Sequence, residues 1–144
     1  MSGKEQDFIK EAFDTNWVVP LGPNVNAFEK SLQDFLIENG KLKIENEGKQ
    51  VVALSAGTAA LHLGLILLGV QAGDEVICQS FTFCASANPV TYLGATAVFV
   101  DSEEDTWNMN PVLLEEAIRD RIAKTGREPK AIIPVHLYGM PAKM

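Results

Sequence analysis

A chain of 144 residues, 47% hydrophobic and 22% charged, is one domain's worth of polypeptide. It is long enough to bury roughly two-thirds of its unfolded surface. This composition excludes a disordered tail, a collagen-like fibre and a disulfide-stapled miniprotein. A net charge of −7 argues against nucleic acid as a partner, because such a chain is repelled by a phosphate backbone, while leaving room for a small cationic site for an anionic ligand.

The opening MSGKEQDFIKEAF carries charges and no apolar h-region, so no signal peptide is expected. It reads as a helix from Glu5 to Asp14. A punctuated stretch, Asn16 to Pro23, follows. A second helix begins after Asn24 as N-cap, with Val25, Phe28, Leu32, Phe35 and Leu36 on one face and Gly40 as its C′ residue. The polar run Lys41 to Lys49 reads as an exposed loop.

From Gln50 the pattern changes. Gln50–Leu54 reads as a strand, Thr58–Leu68 as a helix ended by Gly69, and Glu75–Cys78 as a strand. Phe83–Leu93 reads as a helix ended by Gly94, with Pro89 kinking it or moving its start later. Thr96–Val100 is a strand. Pro111–Lys124 is a helix capped by Asn110, and Ala131–Val135 is a last strand with Pro134 near its end.

Strands without polar alternation are buried on both faces. Alternating strands and helices predict an α/β fold, a mostly parallel buried sheet flanked by helices. The domain plan is a helical arm over about 1–49 and βα units over about 50–144. The longest apolar stretch, Ala59 to Val70, contains His62 and two glycines and is shorter than the ~20 residues a bilayer needs. His62 reads as packing. Cys78 and Cys84 match no metal-ligand spacing, so they read as two reduced thiols in a cytoplasmic protein and no metal site is expected.

Open parallel sheets bind ligands at the carboxyl ends of their strands. The first such loop is Ser55-Ala56-Gly57-Thr58. Gly57 lets an anion approach the backbone and Thr58 offers a hydroxyl at a helix N-terminus, which describes a phosphate site. An ordinary tight turn with a threonine cap fits the same residues. It is neither a dinucleotide fingerprint nor a Walker loop, so a plain dinucleotide-binding module is disfavoured. The loop Gln79 to Phe83 carries Phe81 and Phe83, either a flat stacking surface or core. Asp101 either binds a ligand or caps the following turn. His136 either contacts a ligand or is structural.

Five stretches, VPLGPNVNAFEKSLQDFL, SAGTAALHLGL, GVQAGDEVICQSFTFCASANPV, YLGATAVFVDSEEDTWNMNP and KAIIPVHLYGMPAKM, resemble in order the DegT-type sugar aminotransferases. These are pyridoxal 5′-phosphate (PLP) enzymes of the aspartate aminotransferase fold type I. The resemblance implies that this is the N-terminal part of the PLP-binding large domain. It implies that Gly57 and Thr58 hold the PLP phosphate, that Phe83 stacks on the pyridine and that Phe81 packs. It places His136 at the base of the active site and Gly22 in a loop near the substrate and the partner subunit.

The Schiff-base lysine and the carboxylate for the pyridine nitrogen lie, by the same resemblance, beyond Met144. Lys130 and Lys143 do not sit in the lysine's context. The expected parent is an aminotransferase of nucleotide-linked keto sugars, using glutamate or glutamine as donor. It would be a cytoplasmic homodimer serving polysaccharide, glycosylation or antibiotic pathways, with no nucleic acid or membrane partner. The chain alone is expected to be inactive and marginal, or to associate with itself through an open sheet edge. Two other parents are a sugar dehydratase of the same family, with histidine in place of that lysine, and a non-catalytic remnant that binds a phosphate ligand.

Overall fold

The computed structural model describes residues 2–40 and 51–143. They fall into two compact units, Met1–Ala53 and Leu54–Met144.

The first unit holds α1 (Glu5–Asp14) and α2 (Pro23–Glu38). Glu5 and Asp7 place negative charge in the first turn of α1, where the helix dipole favours it. The Glu5 carboxylate also accepts the Gly3 N–H at 2.9 Å. α2 starts one residue before the expected cap: Pro23 occupies its first position, and Asn24 lies inside the first turn with no capping bond. Proline suits that position because its missing N–H is one the helix cannot use. Before it, the Trp17 indole donates to Leu21 O at 2.6 Å. A Cβ on Gly22 would lie 2.2 Å from that indole nitrogen, so the loop requires glycine there. Gly40 ends the helix with a left-handed φ of 65°.

The strand expected over Gln50–Leu54 does not form. Gln50 is outside the described residues, and Val51–Leu54 is irregular. The ladder donor at Ala53 goes instead to the buried carboxylate of Glu29 on α2, at 2.9 Å.

The second unit is built on three parallel strands, β1 (Glu75–Gln79), β2 (Thr96–Val100) and β3 (Ala131–Ile133), in the order β2-β1-β3. Ile77 is in register with Val98 and Ile132. On one face Val76, Cys78 and Ile133 pack with Leu65 of α3 (Gly57–Leu67) and Val90 of α4 (Asn88–Tyr92). On the other, Ile77 and Val100 pack with Met109 and with Leu114, Ala117 and Ile118 of α5 (Pro111–Thr125). Burial on both faces holds for central β1. Flanking β2 and β3 leave Phe99 57% and Ile132 42% exposed.

The single helix expected over Phe83–Leu93 is divided. A 3-10 turn spans Cys84–Ser86, and α4 starts only at Asn88. Pro89 cannot donate to a preceding turn and its ring would clash with the carbonyl four residues back, so α4 begins beside it. β3 stops at Ile133, because Pro134 has no N–H for the ladder. α5 matches its signals. Asn110 Oδ1 accepts the N–H groups of Val112 and Leu113 at 2.9 and 3.3 Å, and Gly126 closes the helix at φ 70°.

Candidate functional site

Parallel strands put all their carboxyl ends on one edge, so the loops after Gln79, Val100 and Ile133 meet there. α3 runs the opposite way. Its last residue, Leu67, leads through a short connection into the start of β1, which leaves its N-terminus at that same edge. Gly57, Thr58, Phe83 and His136 all sit on this edge.

The N-terminus of α3 is open. Its cap position is Ala56, which has no side-chain acceptor. The first bonds of the helix run from Ala59 and Ala60 N–H to Ala56 O, at 3.0 and 3.2 Å. The N–H groups of Gly57 and Thr58 and the Thr58 hydroxyl have no partner among the described residues. A Cβ on Gly57 would meet nothing within 4 Å, so the approach is clear. Free donors at the positive end of a helix dipole make a site for an anion.

Phe83 is 78% exposed, in extended backbone immediately before the Cys84–Ser86 turn. That turn packs against α3, and a 2.8 Å bond between the hydroxyls of Thr82 and Ser86 braces it. The Phe83 side chain is therefore open to solvent at this edge of the sheet. Phe81 is engaged elsewhere, edge-on to Trp107 with centroids 5.9 Å apart. Asp101 caps its turn: its Oδ1 accepts Ser102 N–H at 2.8 Å and the Ser80 hydroxyl at 3.1 Å. His62 packs edge-on against Tyr92 at 5.6 Å.

His136 is exposed and follows β3. Its Nδ1 accepts the Ala142 N–H at 2.9 Å. That bond assigns the ring proton to Nε2, which is left as a donor. Lys143 is tied to Glu103 and Asp105, at 3.0 and 2.9 Å. The Thr106 hydroxyl and then Lys143 hold Glu103 down at about 2.

Two buried amides escape sequence reasoning. Gln79 donates to Phe81 O and Trp107 O at 2.8 and 3.1 Å and accepts Met109 N–H at 2.9 Å. Asn108 ties the same loop to the segment after β3. Gln79 carries one usable signal, a polar residue ending an apolar strand. Asn108 carries none, because loop asparagines are ordinary. Among the described residues no cluster of three His, Cys, Asp or Glu is placed to hold a metal ion, and no helix is long and apolar enough to cross a membrane.

The model of the DegT/DnrJ/EryC1/StrS aminotransferase family matches residues 1–144. EpsN of Bacillus subtilis (strain 168), named as a pyridoxal phosphate-dependent aminotransferase, is 52% identical over 145 residues, covering 100% of this chain and 34% of that protein. GDP-perosamine synthase of Caulobacter vibrioides is 41% identical over 139 residues, covering 96% and 33%. The crystal structure of a DegT DnrJ EryC1 StrS aminotransferase from Brucella abortus superposes with a TM-score of 0.80 at 38% identity, covering 98% of this chain and 35% of that one. The chain thus spans about a third of the length of these relatives. Solved relatives include forms with pyridoxal and pyridoxamine phosphate, and the fold is part of the large domain of the fold type I PLP enzymes. A match along the whole chain, at this identity and with this backbone agreement, has one meaning: the chain belongs to the DegT/DnrJ/EryC1/StrS aminotransferase family.

Proposed function

We propose that this chain forms the phosphate- and ring-holding part of a PLP-dependent aminotransferase acting on a keto sugar carried by a nucleotide, with glutamate or glutamine giving the amine. The observation that carries the reading is the N-terminus of α3, where the donors of Gly57 and Thr58 have no partner among the described residues and open space lies before them. The family membership and the sugar-nucleotide name of the Caulobacter relative support the substrate class.

The residues present fit the cofactor. The N–H groups of Gly57 and Thr58, with the Thr58 hydroxyl, bind the phosphate and anchor the molecule. Phe83 covers one face of the ring and excludes water from it. His136 offers its Nε2–H at the floor of the site. When bound, PLP would supply an electron sink for the carbanion formed as a proton leaves the carbon bearing nitrogen, the chemistry that amino transfer requires. The amine of Lys143 is held by two carboxylates. We therefore read the chain by itself as binding the cofactor without turnover. The whole enzyme is read as a cytoplasmic homodimer.

The test is a PLP titration, followed by absorbance, of the protein that carries this chain. Hydrogen bonds to a charged group contribute about 1.5–3 kcal/mol each, so Thr58→Ala should weaken binding roughly tenfold or more. Gly57→Asp sets a carboxylate against the phosphate and should weaken it further. Phe83→Ala should lower affinity with little change in melting temperature, since the ring is 78% exposed. Unchanged affinity in Thr58→Ala and Gly57→Asp, in folded protein, would refute the assignment.

A further inference from the structure

We propose that Asn108 is a positioning residue for His136. It clamps the 136–140 turn at both ends and so holds the imidazole with Nε2–H free at the carboxyl edge of the sheet. The proposal rests on the reading of His136 as part of the site.

Asn108 is fully buried, and a buried amide is costly unless both its ends are bonded. Its Oδ1 accepts Leu137 N–H at 2.9 Å. Its Nδ2 donates to Met140 O at 2.9 Å and to the Thr106 hydroxyl at 3.0 Å. One side chain therefore grips the turn on both sides of Tyr138.

That turn needs gripping. Tyr138 has φ 49° and ψ 28°, a left-handed conformation that tyrosine rarely adopts, and Gly139 follows at φ 84°. Tyr138 is 99% exposed, so no packing of its ring explains the backbone. Strained residues persist where surrounding bonds over-determine them. Here Gly139 N–H and Met140 N–H close the turn on His136 O and Leu137 O, at 3.0 and 2.9 Å, and Asn108 fixes the closed turn to the body of the unit. The same turn delivers the Ala142 N–H to His136 Nδ1.

Asn108 is itself anchored. Its neighbour Met109 is buried and donates its N–H to Gln79 at the end of β1, and Gln79 also holds Trp107 O. A continuous set of bonds runs from the central strand to the imidazole. Only an amide serves at position 108. Aspartate would keep the bond to Leu137 but face the Met140 carbonyl with a second acceptor.

The test uses long-range proton–nitrogen NMR of the imidazoles in the protein that carries this chain, without cofactor. His136 is assigned by its loss in His136→Gln, and His62 is the control. Wild type should show neutral His136 predominantly as the Nε2–H tautomer. In Asn108→Ala and Asn108→Asp, His136 should become a mixture of both tautomers while His62 keeps its shifts. A general loss of stability would not select one ring. An unchanged His136 tautomer in either folded variant overturns the proposal.

If neither variant folds, amide exchange in wild type decides. Leu137 N–H should exchange at least about a hundredfold more slowly than an open amide, and an unprotected Leu137 overturns the clamp. PLP titration separates the underlying reading. Asn108→Ala and His136→Gln should each weaken binding by about tenfold. A changed tautomer with unchanged PLP affinity in both would keep Asn108 as the positioning residue and remove His136 from the site.

Discussion

The two thiols of this chain have opposite surroundings. Cys78 lies in the central strand β1 with no exposure, and burial pushes its thiol up to about 11. Cys84 is exposed in the 3-10 turn after Phe83. The thiolate is the reactive form, so an alkylating reagent at pH 8 should modify one cysteine in the native chain, Cys84, and both after unfolding. Two native modifications would contradict the burial of Cys78. Glu103 makes a similar point about charge. It lies in the acidic stretch Asp101 to Asp105. In the structure it is 9% exposed and accepts bonds from the Thr106 hydroxyl, Lys143 and the Asp105 and Thr106 N–H groups. Its folded value of about 2 lies below the roughly 4.3 of a free glutamate. The stability it contributes is therefore present above the unfolded value and is lost as pH falls through about 2. Glu103→Gln should be less stable than wild type at pH 7, with the gap closing on acid titration followed by Trp fluorescence. Parallel acid curves would show that Glu103 is not the linked group. Local spacing could have suggested the bonds from Asp105 and Thr106, but not the one from Lys143, which is forty positions away.

At the scale of elements, two asparagines with the same apparent cue behave differently. Asn110 caps α5 through two N–H groups, whereas Asn24 sits within α2 and caps nothing. Asn110→Ala should cost about 1 kcal/mol. Asn24→Ala should stay within about 0.5 kcal/mol, as ordinary surface changes do. Chemical denaturation of the two variants checks the pair, and equal losses would mean that Asn24 does cap. The sequence cues place α1, α3, α5, β1 and β2 within about a residue, because each has a proline or glycine at or within two residues of an end. The expectations that fail are those decided by partners. Val51–Leu54 has the residues of a strand, yet Glu29 takes the donor of Ala53. Phe83 looks like the start of a helix and is instead held outside one, because Pro89 sets where α4 begins. That displacement leaves its ring exposed, and Phe83 is one of the residues proposed to hold the cofactor.

For the whole molecule, the loops that make the site follow from the alternation of strands and helices. The bonds that join them, through Gln79 and Asn108, do not, since they depend on which loops meet in space. The same alternation leaves apolar surface to be covered. Ile132 is 42% exposed on flanking strand β3, beside a hollow of about 380 Å³ lined by Met109, Pro111, Leu114 and Pro134. In the other unit Phe8, Phe13, Phe28 and Phe35 are all more than half exposed. Apolar surface on this scale favours association, and a strand edge adds unpaired backbone donors and acceptors. The net charge of −7 opposes it, and salt screens that opposition over about 10 Å at 0.1 M. The chain on its own should therefore show a weight-average mass in sedimentation that rises with protein concentration, and rises further with salt. Ile132→Lys should reduce the association by interrupting the apolar surface on β3 and placing a charge there. A monomeric mass at every concentration, together with a sharp cooperative melt, would show that these faces are stable in water and that the chain does not self-associate.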